Sequence, residues 1–177
     1  MELKGQDLLV LFKQVSAPEG ARTYAELGEA IRISASQAHR SVQRCIAAGL
    51  AVSGGGRGEW RTIRNALLEF AVHGVRYAFP AKVGPPKRGI PTSFGTAPLN
   101  AHINSALGEA PVWPDPKGTA KGPTLTPICP TAPQAALADT RLHEFLALLD
   151  ALRTGRARER ELAAKYMSEA LGVDADE

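Results

Sequence analysis

The chain has 177 residues and a net charge of +3, and 12 of its 13 prolines fall between Pro80 and Pro133. Proline lacks an N–H and holds φ fixed, so helix interiors and central strands reject it, which excludes one regular bundle or sheet running from end to end. No apolar run approaches the roughly 18 residues needed to cross a bilayer. Met1-Glu2-Leu3-Lys4 lacks the basic-then-apolar pattern of a signal peptide, so a cytoplasmic chain with no membrane partner is expected.

Three segments follow from the proline distribution: 1–79, 80–138 and 139–177. The first carries ten Lys/Arg against seven Asp/Glu, the second five against two, and the third six against nine. The first two could face a polyanion; the third should not. Cys45 and Cys129 stand alone and support neither a disulfide framework nor a cysteine zinc site.

In chain order, Leu8, Leu11, Phe12 and Val15 form a helical stripe that predicts a helix over about Gly5–Val15, stopped by Pro18 and Gly20. Thr23-Tyr24-Ala25-Glu26 is a capping-box pattern, and Tyr24, Leu27 and Ile31 continue at helical spacing. A second box, Ser34-Ala35-Ser36-Gln37, opens a helix that runs to about Ala48, where Gly49 supplies a left-handed stop. Two capped helices separated by Arg32 and Ile33 have the spacing of a helix-turn-helix.

On the second of these helices, Ala38, Val42, Cys45 and Ile46 read as the buried stripe. Gln37, Arg40, Ser41 and Arg44 form the opposite one, flanked by Ser36, His39 and Gln43, and the helix contains no acid. Arginine suits guanine O6/N7, glutamine suits adenine, and serine bonds bases or phosphate. Leu50–Ser53 and Glu59–Ile63 then read as two short strands around the loop Gly54-Gly55-Gly56-Arg57-Gly58. A phosphate-cradling role for that loop lacks the Lys-Ser/Thr pair and the strand-loop-helix context.

Helix, capped helix, capped basic helix and glycine hairpin, joined through Ala47-Ala48-Gly49-Leu50-Ala51, resemble the winged helix-turn-helix superfamily of bacterial transcription regulators over about residues 5–63. The resemblance implies a third helix in the major groove and a wing on phosphate or minor groove. It places Ser36, Gln37, Arg40, Ser41 and Arg44 in the groove and Arg57 on the wing. Ser34, His39, Gln43 and Arg61 complete the candidate DNA-binding set.

Beyond the hairpin, Asn65 is expected to cap a short helix ended by Gly74, and Val75, Tyr77 and Phe79 alternate as in a strand. The middle segment carries Ile90, Phe94, Leu99, Ile103, Leu107, Val112, Trp113, Leu125 and Ile128 among its prolines. That is too apolar for a free linker, so an extended strap docked on a core or a partner is expected, with a helical turn or two over Asn100–Leu107. Lys82, Lys87 and Arg88 read as a solvated loop or as extra phosphate contacts.

In the tail, Leu142, Phe145, Leu146, Leu149 and Leu152 predict an amphipathic helix over about Thr140–Arg153. Gly155 breaks it, and Leu162, Tyr166, Met167, Ala170 and Leu171 mark another. Such a hairpin builds a dimer interface or packs on its own domain, and the homodimer is favoured because reading an inverted repeat takes two copies.

His39, His73, His102 and His143 are scattered, with no metal spacing and no nucleophile elbow nearby. No enzyme, metal or cofactor is expected. The sequence thus predicts a mainly α (α+β) fold: an N-terminal winged helix-turn-helix, a proline-rich extended middle and a C-terminal helical hairpin. The function expected is a dimeric repressor that binds double-stranded DNA. The alternative is an antitoxin-like subunit whose proline-rich segment wraps a partner protein. A third reading, a regulator sensing an effector near Trp113 or Tyr77, has no residue pattern that identifies a ligand.

Overall fold

A computed structural model describes residues 1–17, 23–106 and 108–174. The expected stop at Pro18 and Gly20, and Leu107, lie outside the described residues. The fold is mixed α and β, 53% helical, with eight α-helices and small sheets among the described residues.

Helix α1 (Gly5–Ser16) is the central post. The unbroken run Leu8-Leu9-Val10-Leu11-Phe12 is buried on every side, as an all-round apolar helix must be; a single stripe understates it. Around it stand α2 (Tyr24–Ile31), α3 (Ala35–Ala47) and the hairpin β1 (Ala51–Ser53) and β2 (Trp60–Thr62). Both capping boxes form: Thr23 Oγ1 accepts from Glu26 N–H, and Ser34 Oγ accepts from Gln37 N–H. Gly49 takes a φ of 76° just after α3, which a residue with a Cβ resists. Gln14 of α1 orients the hairpin. Its Nε2 donates to Trp60 O at 2.8 Å, and its Oε1 accepts from Thr62 N–H at 2.7 Å.

Helix α4 (Arg64–His73) starts two residues earlier than expected, with Ile63 rather than Asn65 at its N-cap. Ile63 N–H still donates to Leu50 O, so the chain turns from hairpin into helix without a linker. Residues Val75–Ala78 are helical (α5), not a strand. Val75 alone of that alternating set is fully buried, Phe79 is half-buried and Tyr77 points to solvent, so no sheet face exists for the alternation to line.

The proline-rich middle is docked on the chain's own core. Strand β3 (Val83–Pro91) pairs antiparallel with β5 (Ala120–Leu125) along most of its length and with β4 (Val112–Pro114) only at Gly89–Pro91. A single parallel pair, Val112–Thr124, joins β4 to β5 and closes the three strands on themselves. Five prolines thus sit inside strands, one of them central, against the expectation of a merely extended strap. Most of β3 is paired on one side only, Pro85 falls at a register shift, and Pro86 faces Pro123, so the missing donors cost few ladder bonds. Close approach completes the ring: a Cβ on Gly118 would lie 2.1 Å from the backbone of Gly89. Over Asn100–Ala106 the described residues contribute no α-helix; Leu99–Ala101 is one 3-10 turn. Helix α6 (Ala132–Leu137), with Pro133 in its first turn, was not anticipated.

Helix α7 (Thr140–Thr154) is the second post, and α8 (Ala157–Leu171) packs on it and on α4. Leu142, Phe145, Leu146, Leu149 and Leu152 are all buried, facing α1, α5, α6 and α8. Phe12 stacks on Phe145 with ring centroids 5.4 Å apart. The stripe assigned to a second copy is therefore consumed inside the chain. One apolar cluster runs from α1 through Trp113 to α8.

A polar hub pins the middle segment to α7. Buried Asp150 accepts from Thr92 Oγ1 at 2.7 Å, Trp113 Nε1 at 2.8 Å and Arg153 Nη1 at 2.9 Å. Arg153 donates onward to the carbonyls of Phe79 and Thr126. Burial pushes the Asp150 carboxyl above its usual range despite these donors.

Candidate nucleic-acid interface

The ten candidate residues separate into three groups. Arg44 and Ser41 are turned inward. Asp7, in the first turn of α1 and fully buried, accepts from Arg44 Nε at 2.8 Å and Nη2 at 2.6 Å, and from the Lys4 backbone N–H at 2.7 Å. Ser41 Oγ accepts from Gln6 Nε2 and Arg44 Nη2, each at 3.0 Å, and is wholly buried. The hydrogen bond to Asp7 raises the Arg44 pKa further above its usual value. These two residues are structural, which corrects their assignment to the groove. The buried stripe of α3 is Ala38, Ser41, Val42 and Cys45. The Cys45 thiol rests on Asp7 O, and burial pushes its pKa up to about 12.

Ser34 and Gln37 are exposed, but their side chains serve the capping box: Gln37 Oε1 accepts from Ser34 N–H at 2.9 Å while Ser34 Oγ caps Gln37. Gln37 keeps only its amide N–H₂ for a ligand, half of what a bidentate adenine contact needs.

Ser36, His39, Arg40, Gln43, Arg57 and Arg61 are exposed. Arg40 makes no hydrogen bond or ion pair among the described residues. The His39 ring meets Tyr24 edge-on with centroids 5.0 Å apart. Tyr24 lies near the loop that carries Arg57 as well: a Cβ built on Gly58 would come within 3.9 Å of its Cε2. The turn between α2 and α3 adds Arg32, exposed and left-handed at φ 60°. The candidate set omitted it, although its place in the turn was legible.

The glycine loop folds around its own acid. Gly56 N–H donates to Glu59 Oε2 at 2.9 Å, and Cβ atoms on Gly54 or Gly56 would strike the Glu59 side chain. The loop's concave side is thus filled by a carboxylate from within the chain, while Arg57 remains exposed.

Away from this face, Trp113 is buried against His143 and Asp150, and Tyr77 lies exposed under Arg76. No group of three or more His, Cys, Asp or Glu side chains is placed to hold a metal among the described residues, and no described helix is long and apolar enough to cross a membrane. Comparisons with protein-family models, with curated proteins and with solved structures return no match.

Proposed function

We propose that residues 5–63 act as a winged helix-turn-helix that binds double-stranded DNA, and that the chain is a cytoplasmic transcription regulator. The supporting observation is the outward face of α3. Ser36, His39, Arg40 and Gln43 stand exposed with no acid on the helix, and Tyr24 packs edge-on against His39 of that face. Arg40 supplies the base or phosphate contact, Arg57 and Arg61 supply phosphate contacts, and Arg32 lies at the turn. A dimeric repressor remains the form proposed, with its pairing surface outside the buried stripe of α7. The partner-wrapping alternative loses its motive, because Ile90, Leu99, Val112, Trp113 and Leu125 are buried within the chain.

Fluorescence anisotropy with the DNA upstream of its own gene, against a random duplex, tests the proposal. Arg40→Ala should weaken specific binding by about 1–3 kcal/mol if it reads a base. Arg57→Ala should weaken both duplexes alike and reduce the salt slope by about 1. Wild-type binding by both variants, or no binding to any duplex at low salt, refutes it.

A further inference from the structure

A cleft of about 800 Å³ opens in the middle segment, between the β3–β5 ribbon and the stretch that carries Phe94, Asn100, Ile103 and Asn104. Arg88 and Lys121 lie directly opposite each other across β3 and β5, so both side chains leave the same face of the ribbon, and both line the cleft. Like charges facing each other across a strand pair are destabilising, and among the described residues no acid lines the cleft; Glu109 beside it accepts from the Ala106 N–H of its own loop. Among the described residues Arg88 has only the Gly118 carbonyl, at 3.2 Å. Lys121 has no side-chain partner among the described residues. Phe94 and Ile103 give the wall an apolar surface, and the exposed amides of Asn100 and Asn104 make no hydrogen bond among the described residues.

An unbalanced pair of cations above an apolar wall, with unengaged amide donors beside it, is the arrangement that fixes and orients a ligand. We propose that this cleft binds a small organic acid, its carboxylate between Arg88 and Lys121 and its apolar body on Phe94 and Ile103. The concave shape and the volume suit a small molecule rather than a duplex. The site is independent of the DNA-binding proposal, since no residue is shared between them.

The test is titration calorimetry of the full chain with 1-naphthoate, its neutral amide 1-naphthamide and inorganic phosphate. Naphthoate should bind at least tenfold more tightly than either of the others, because only it satisfies both the cations and the apolar wall. Lys121→Met, which keeps the aliphatic stem, should weaken naphthoate at least tenfold and leave naphthamide unchanged. Arg88→Lys, which keeps the charge, should weaken it less. Arg88→Lys should unfold at the wild-type temperature, and Lys121→Met at that temperature or slightly above it, because it removes the like-charge repulsion. No naphthoate binding, equal binding of acid and amide, or indifference to Lys121→Met overturns the site. Displacement of naphthoate by a random duplex at equal phosphate concentration would instead put a nucleic-acid backbone in the cleft and overturn the small-ligand reading.

Discussion

Replacing Asp7 with leucine should cost the fold about 3–5 kcal/mol, the range for removing one partner of a buried ion pair. The upper half is expected. The carboxylate is fully buried, Arg44 approaches it through two N–H groups at 2.6 and 2.8 Å, and it also holds the backbone N–H of Lys4, the N-cap of α1. Bidentate pairs of this kind are the stronger class, and the lost cap adds about 1 kcal/mol. A small domain is stable by about 5–15 kcal/mol, so this one contact carries a large share. Urea unfolding followed by far-UV circular dichroism should show a lower midpoint at an unchanged slope. Arg44→Met should lose a similar amount, because it strands the Asp7 carboxylate. The double variant should come back to within about 2 kcal/mol of wild type, since an apolar pair of similar volume replaces both charges. Arg40→Ala, on the same helix but exposed, should stay within about 0.5 kcal/mol. If Asp7→Leu costs under about 1 kcal/mol, or the two single losses simply add, the pair does not hold α3 against α1 and Arg44 returns to the candidate contacts.

Three further outcomes are expected. Asp139 caps α7 and accepts from Lys13 Nζ at 2.5 Å and Ser16 Oγ at 2.9 Å. Burial, the largest influence, would raise its pKa, but Lys13, the Leu142 N–H and Ser16 together leave it below the usual carboxylate value. Its contribution is therefore complete above the unfolded pKa of about 3.9 and is lost as pH falls through the lower folded value. Asp139→Asn keeps a good cap, so its deficit in urea unfolding should be clear at pH 7 and shrink towards pH 2; an equal deficit at both refutes the ion pair. A Cβ on Gly5 would sit 1.9 Å from Ile128 O, whereas one on Gly55 meets nothing within 4 Å. Gly5→Ala should cost about 1–3 kcal/mol by overpacking and Gly55→Ala under about 0.5, read as unfolding midpoints; equal values refute the close docking of α1 under the 126–131 loop. Trp113→Phe removes one of the donors to Asp150 and should cost about 1–3 kcal/mol; a shift in melting temperature within error would remove Asp150 as the anchor of the middle segment.

Much of the helical framework was legible because its signals are local. Two capping boxes, Gly49 and Gly155 set the ends of α2, α3 and α7 to within a residue or two, since a cap needs only its own turn. The middle segment was legible as ordered, from its apolar residues, but not as a sheet. Each rung of β3 depends on a strand about 30 residues away, and proline tolerance depends on which side of a strand is paired. Val75–Phe79 failed for a related reason: alternation predicts a strand only where a sheet face exists to receive it.

The interface shows where the period misled. Ala38, Ser41, Val42 and Cys45 fit a buried stripe as well as Ala38, Val42, Cys45 and Ile46 do, and chemistry broke the tie wrongly by assigning a serine to solvent. The deciding residue lies 37 positions from Arg44: Asp7, next to the continuous run Leu8–Phe12. An all-round apolar helix is buried all round, so an acid in its first turn needs a cation from a neighbour, and Arg44 is the arginine that α3 turns towards it. The same logic sharpens the assignment of the exposed residues. Once α1 has claimed Arg44 and Ser41, and the capping box has claimed Ser34 and the Gln37 carbonyl, the candidate contacts left on α3 are Ser36, His39, Arg40 and Gln43. Arg40 then carries the only positive charge on that face, and because it is exposed its substitution tests the DNA-binding proposal without the folding loss that Arg44 or Ser41 would bring.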